Sequence, residues 1–277
     1  MPLVTSKQML LDAQRGQYAV GAFNIENLEM AQAVIQAAEE TGLPVMLATT
    51  PSTLRYAPAA VFAAMVGALA AQSKAQVAMH LDHGNSVELV AQALAAGYTS
   101  AMIDGSTLSF ERNIAITCEA VRLTRGRAPV EGELGRIGGK EDDLAAETDA
   151  STDPAQAAEF VERTRVDSLA VGIGTAHGFY LQTPVLDKQR LSEVRAIVKV
   201  PLVLHGASGL SDKDVRDCIA RGICKVNFAT ELRAAYTEGV KQALSQEPKL
   251  YDPKKLGEAG KRRVKELTIA KMMLCRG

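Results

Sequence analysis

Short apolar runs alternate with longer segments of helical period along the chain. This alternation, repeated eight times, restricts the fold more than any other feature of the 277 residues. The runs Tyr18–Phe23, Val45–Thr49, Val77–Leu81, Ser100–Ile103, Val130–Leu134, Ser168–Ile173, Leu202–Leu204 and Ile223–Asn227 read as buried strands. Between them, Asn27–Glu40, Val87–Ala96, Ser109–Arg125, Pro154–Thr164, Asp187–Ile197 and Asp212–Arg221 place apolar residues at helical spacing. The punctuation agrees: Asp153-Pro154 pairs a capping side chain with proline at the first helical position, and Gly42, Gly97 and Gly222 stop helices. Parallel strands need a long crossover, which a helix supplies, so the pattern predicts an α/β fold of the (β/α)8 TIM-barrel type. No Gly/Ser/Pro-rich linker interrupts it, and residues 1–277 are expected to form a single domain.

Two segments exceed a minimal barrel. Gly135–Ser151 is a polar, acidic, glycine-bearing loop after the fifth strand, of the length that usually carries function. The tail from Tyr236 is charged and helical with a break at Asp252-Pro253, predicting extra C-terminal helices that pack on the barrel or reach another subunit.

Composition excludes several classes. A net charge of −1 gives no electrostatic case for nucleic acid or an anionic membrane. Cys118, Cys218, Cys224 and Cys275 lack CxxC spacing and read as reduced thiols. The stretch Met1–Lys7 has no apolar core of signal-peptide type. The Ala-rich run Ala57–Ala71 falls short of the roughly 18 residues a bilayer span needs and reads as a buried helix. A cytoplasmic protein is expected.

A barrel gathers its strand ends on one face. Here those ends carry Asn24, Thr49 and Thr50, Asp82 and His83, Asp104, Glu131 and Glu133, Gly174 and His177, His205, and Asn227. Three of the four histidines, His83, His177 and His205, follow different strands, and three imidazoles with an open position are a recurring catalytic Zn2+ site. His80, which alternates with Asp82 along its strand, is read as structural. Asp82 is a general acid or base beside the metal, or an acceptor that orients a histidine. Asp104 and Glu133 are an alternative metal position, supports for the ligands, or ion-paired structure. Gly206-Ala207-Ser208-Gly209 and Asn227-Phe228-Ala229-Thr230 follow the last two strands, the second opening a helix, which is a common barrel site for phosphate.

At these residues the chain resembles the class II, zinc-dependent ketose-bisphosphate aldolases. The resemblance rests on His80-Leu81-Asp82-His83-Gly84, Glu131-Gly132-Glu133-Leu134-Gly135, Gly138-Gly139-Lys140-Glu141-Asp142-Asp143, Gly174-Thr175-Ala176-His177-Gly178, His205-Gly206-Ala207-Ser208-Gly209 and Lys225-Val226-Asn227-Phe228-Ala229-Thr230-Glu231, in family order. Ser6–Leu10 and Ala22–Ile25 extend it to the N-terminus. Ile173–Gly178 and Thr50–Thr53 look most like the tagatose-bisphosphate members. The resemblance implies that His83, His177 and His205 ligate zinc, that Asp82 is the catalytic acid, and that Glu141 moves the carbon-bound proton. It implies a dihydroxyacetone-phosphate site at Gly178, Gly206, Ala207, Ser208, Asn227, Phe228, Ala229 and Thr230, with a monovalent cation (Na+ or K+) nearby. The implied reaction cleaves D-tagatose 1,6-bisphosphate, its fructose epimer or another phosphorylated ketose. A dimer or tetramer is expected, and some tagatose-type members work with a related non-catalytic subunit, itself the remote alternative for this chain. One departure stands out. Where several relatives carry a basic or amide side chain after the late Asp-Pro, this chain has Gly257 and Glu258, so Lys254, Lys255, Arg262, Arg263 and Arg55 become the candidates for the second phosphate.

Overall fold

The computed structural model describes residues 3–141, 144–146, 151–180, 182 and 184–277, with backbone alone for 139–141 and 144–146. Eight parallel strands close into a barrel: β1 (Val20–Asn24), β2 (Val45–Thr49), β3 (Val77–Gly84), β4 (Ser100–Ile103), β5 (Val130–Leu134), β8 (Ser168–Val171), β10 (Leu202–Leu204) and β11 (Ile223–Phe228). Their order around the barrel follows the chain, and β11 closes on β1 through Val20 opposite Lys225 and Phe23 opposite Phe228. The remaining strands, β6 (Gly138–Glu141), β7 (Leu144–Ala146) and β9 (Ala176–His177), form a small sheet in the order β7-β6-β9.

Helices α2 (Leu28–Thr41), α4 (Ala59–Gln72), α5 (Val87–Ala96), α6 (Phe110–Thr124), α7 (Pro154–Thr164), α8 (Lys188–Ile197), α9 (Asp212–Ala220) and α10 (Thr230–Gln246) follow successive barrel strands. Their ends obey local chemistry. Asn27, Ser86, Asp153 and Ser211 each accept a backbone N–H of the first turn. Gly42 and Gly97 leave their helices in the left-handed conformation that costs glycine little. Most apolar burial lies between strands and helices, where Phe23, Val34, Leu47, Met79, Ile103, Phe160 and Leu191 belong to one continuous core. A short α3 (Pro51–Tyr56) precedes α4, and α11 (Pro253–Arg276) packs on α10 and α2.

Inside the barrel the filling is different. At the N-terminal mouth, Met9, Leu10 and Ala13 of α1 (Ser6–Gly16) meet Val20, Ala22, Met46, Ala78 and Cys224, and this plug closes the lower end. Higher up the interior turns polar.

Four strands keep the bounds expected from sequence; β3 runs three residues further, through Asp82 and His83 to Gly84. The apolar pattern stops at Leu81 because the next side chains are polar, yet both are buried. The loop after β5 is not wholly irregular, since β6 and β7 pair as a hairpin within it. The Ala-rich α4 buries only the face of Phe62, Ala63, Val66 and Ala70, leaving Val61 exposed. Among the described residues no helix is long and apolar enough to cross a membrane.

Candidate active site

The C-terminal ends of the strands bring His83, His177 and His205 together. Ligand atoms of the three lie within 4.8 Å of one another, and all three residues are buried. The His83 ring stands edge-on to both others, with centroids 4.9 Å from His177 and 4.6 Å from His205.

Each of two rings is held by one nitrogen, which leaves the other for the site. His83 Nδ1 bonds Asp104 Oδ2 at 2.9 Å, while its Nε2 is buried with no hydrogen-bond partner. His205 donates from Nε2 to Glu131 Oε1 at 2.9 Å, which turns Nδ1 toward Asn227 Nδ2 at 3.4 Å. A carboxylate behind each imidazole fixes ring orientation and tautomer, as behind metal-ligating histidines generally. A buried imidazole nitrogen without a partner, beside two further imidazoles, fits a metal ion: the ion would satisfy an atom that otherwise loses its hydrogen bond.

The backbone at His83 is left-handed, with φ 47°. Such a conformation costs a non-glycine residue about 1–3 kcal/mol and is found where surrounding structure imposes it. Here it answers a geometric problem, because neighbours in a strand point to opposite faces. Pairing of β3 with β4 shifts register between Leu81 and Gly84, so Asp82 and His83 both reach the site.

Asp82 is clamped by amides from two neighbouring strands. Asn24 Nδ2 donates to Oδ2 and Asn227 Nδ2 to Oδ1, each at 2.9 Å. Burial alone would raise its pKa, but His83, His205 and Lys225 outweigh burial and hold the carboxyl well below the usual range. The same field acts on His83. Burial opposes its protonation, yet Asp82, Asp104 and Glu133 raise it well above an ordinary histidine. Carboxylates that favour a proton on this ring favour a metal cation in its place.

Asp104 and Glu133 stand behind His83 and form with it a second group able to hold a cation. Glu133 Oε2 lies 3.8 Å from His83 Nδ1 and has no hydrogen-bond partner. Burial and the nearby Asp104 push Glu133 well above the normal range, whereas His83 and Ser106 overcome burial at Asp104 and hold it at about 2.

The phosphate-type loops also meet. Gly206 is left-handed, at φ 65°, and a Cβ there would stand 2.6 Å from the Ala176 carbonyl oxygen, so only glycine lets this loop pass the strand bearing His177. Tyr180 locks the crossing: its hydroxyl donates to the Gly206 carbonyl at 2.6 Å and accepts the Ala176 N–H at 2.8 Å. Gly178, at φ 91°, follows His177, and Ser208 is buried. Ala207 and the Phe228 ring lie in the outer core, the latter stacked on Phe23 at 5.5 Å, so these two offer the site their backbone alone. Asn227 ends inside the barrel, Ala229 caps α10, and Thr230 begins it. The side chain of Glu141 and all of Asp142 and Asp143 lie outside the described residues; the Glu141 backbone ends β6, which pairs in parallel with the His177 strand.

His80 is held apart from the ligand group by its own partners: its Nδ1 bonds Ser100 Oγ at 2.8 Å and its Nε2 meets Lys225 Nζ at 3.3 Å. Lys225 carries no role expected from sequence. This fully buried ammonium pairs with Glu131 Oε2 at 2.8 Å, and Glu131 holds His205. Burial raises the Glu131 pKa, but Lys225 and His205 bring it down to about 2. The available signal was the two-residue spacing of His80 and Asp82, Glu131 and Glu133, and Lys225 and Asn227, which lines the barrel interior with paired polar layers.

The basic residues proposed for a second phosphate are dispersed. Lys254 pairs with Asp252 and Arg263 with Glu266, both on the outer helix, and Arg262, Lys255 and Arg55 are exposed. Gly257 packs against Glu29 of α2, where a Cβ would stand 2.8 Å from its carboxylate.

Comparison with known proteins agrees with this geometry. The family model for "Fructose-bisphosphate aldolase class-II" matches residues 4–277. The YdjI aldolase of Escherichia coli K12 is 37% identical, with 99% of this chain and 97% of that chain covered and a TM-score of 0.87. A proposed fructose-1,6-biphosphate aldolase from Coccidioides immitis is 29% identical, with 96% of each chain covered and a TM-score of 0.86. The fructose-bisphosphate aldolase of Campylobacter jejuni, 20% identical, shares the fold with a TM-score of 0.84 over 99% of this chain and 95% of that one. The chain therefore belongs to the class II fructose-bisphosphate aldolase family and is a class II aldolase, a lyase of carbon–carbon bonds.

Proposed function

We propose that the whole chain acts as one zinc-dependent catalytic domain that reversibly cleaves D-tagatose 1,6-bisphosphate to dihydroxyacetone phosphate and D-glyceraldehyde 3-phosphate. The observation that carries the reading is the buried, partnerless His83 Nε2 beside His177 and His205, with Asp82 clamped next to them. His83, His177 and His205 would hold the metal, and bound zinc supplies Lewis-acid polarisation of a substrate carbonyl.

The protein's own groups supply the rest. Asp82 takes the proton of the C4 hydroxyl in cleavage and returns it to the aldehyde oxygen in condensation. Its two amide donors orient the carboxylate, and both amide oxygens, Asn24 Oδ1 and Asn227 Oδ1, are buried without hydrogen-bond partners, acceptors that substrate hydroxyls would satisfy. Glu141 moves the proton at the carbon next to the ketone. Pairing of its strand with the His177 strand supports that placement. Backbone N–H groups of Gly178, Gly206, Ala207, Phe228 and Ala229, with the Ser208 and Thr230 hydroxyls and the start of α10, bind the first phosphate, as helix N-termini do. A sodium or potassium ion beside that phosphate would offset its charge. The protein is proposed to work in the cytoplasm as a homodimer or homotetramer.

The second reading is the same cleavage of fructose 1,6-bisphosphate, favoured by the family match. One assay separates the two and tests both: initial cleavage rates on tagatose and fructose 1,6-bisphosphate and on their 1-phosphates, with and without chelator. Tagatose 1,6-bisphosphate is expected to be cleaved fastest and chelation to abolish the rate. Full activity in metal-free protein would overturn the zinc assignment, and a faster rate on the fructose epimer would overturn the tagatose assignment.

A further inference from the structure

Glu231 closes the motif that runs through Asn227–Thr230, and no step of the reaction uses it. It lies on the first turn of α10, directly after Thr230. Its partner is the residue directly after Ser208: the Gly209 N–H donates to Glu231 Oε1 at 2.7 Å. One hydrogen bond thus joins the ends of the two segments proposed to bind the first phosphate. The segment after β10 needs such a tie. Gly206 and Gly209 are both left-handed, at φ 65° and 88°, and glycines lose more freedom than other residues when a loop is fixed. Tyr180 fixes the start of the segment through the Gly206 carbonyl, and Glu231 fixes its end.

A carboxylate is the wrong charge to place beside a phosphate. Lys271 of α11 answers this, with its Nζ 2.7 Å from Glu231 Oε2. The same ammonium stands over the Phe228 ring, 5.3 Å from its centroid. The lysine and glutamate side chains are only 11% and 16% exposed, so solvent screens their charges little. We infer that Glu231 is a positioning residue for the phosphate of dihydroxyacetone phosphate, and that Lys271 cancels the charge this position would otherwise turn against the substrate. The inference rests on the aldolase reading above. Gly209 asks only for an acceptor, which an amide oxygen also supplies; the negative charge is what Lys271 has to offset. The competing role is a purely structural pair that ties α11 to α10, with Glu231 at a helix start where carboxylates are stabilising in any case.

The test is condensation at saturating aldehyde, reading KM for dihydroxyacetone phosphate apart from kcat, with the inhibition constant of inorganic phosphate measured beside it. Lys271→Met should raise both constants about 10-fold and lower kcat by much less. Adding Glu231→Gln to Lys271→Met should return both constants toward wild type, because the amide oxygen still accepts from Gly209 and carries no charge. Glu231→Ala should give constants about 10-fold above those of Glu231→Gln, since both lack the charge and only the amide keeps the tie. A structural pair predicts a lower melting temperature in Lys271→Met with both constants unmoved, and that result overturns the inference. A Lys271→Met defect that Glu231→Gln fails to relieve also overturns it. If Lys271→Met does not fold, the comparison of Glu231→Ala with Glu231→Gln decides alone, and equal constants overturn the positioning role. Wild-type protein that condenses nothing would overturn the aldolase reading and this inference with it. Condensation with unmoved constants overturns only this one.

Discussion

Asp82 and His83 are adjacent in sequence yet serve one cavity, and the left-handed backbone at His83 is what allows it. The two side chains are separable in experiment. Asp82 is held by Asn24 and Asn227, so replacing it leaves the imidazole cluster and its carboxylate supports in place. Asp82→Ala is expected to keep bound zinc while losing cleavage by about 10²- to 10⁴-fold, the usual span of a general acid or base. Metal analysis of the purified variant beside a cleavage assay checks this, and unchanged turnover would remove Asp82 from the reaction. The ligand histidines were legible because each sits in a polar motif directly after an apolar run. The pairing of Lys225 with Glu131 was not, because a sequence does not show which charges meet across a barrel.

At the scale of elements, strands β2, β4, β5 and β10 matched their expected bounds because short apolar runs between helix caps leave little choice. Strand β3 did not, since its last residues are polar and buried for the sake of the site. The tail was read as helical with a break at Asp252-Pro253, and α10 and α11 fall on either side of it. What the sequence could not show is how closely they pack. A Cβ on Gly239 would stand 2.4 Å from the Ala259 carbonyl oxygen, and one on Gly260 would meet the Tyr236 ring at 2.5 Å. Both glycines let the helices approach at the cost of helix propensity. Gly239→Val should therefore destabilise by about 1–3 kcal/mol through overpacking. At roughly 2–4 °C per kcal/mol for a chain of this size, that is a clear fall in melting temperature. An unchanged melting curve would show that α11 can slide to accommodate the side chain.

At the scale of the whole molecule, the barrel interior is layered: an apolar plug below, a charged middle and the site above. The middle layer holds His80, Glu131 and Lys225, all buried, and continues through Ser100 to Ser6 of α1 at 2.9 Å. Burial and the neighbouring Lys225 lower the His80 pKa to about 3, so the ring stays neutral beside the ammonium. Breaking such a pair from one side leaves a buried charge alone, which costs about 3–5 kcal/mol. Lys225→Met should show that loss in denaturant unfolding, and the double variant Lys225→Met, Glu131→Gln should recover much of it. A double variant no more stable than the single one would mean that Lys225 acts by packing rather than by charge.

The sequence alone determined the strand–helix alternation, hence the barrel, and the polar residues at its strand ends, because both depend on local periodicity and on chain order. The tertiary structure decided which nitrogen of His83 and of His205 faces the site, and which carboxylates stand behind them. Those choices depend on distances between strands far apart in the chain, and only closure of the barrel sets them.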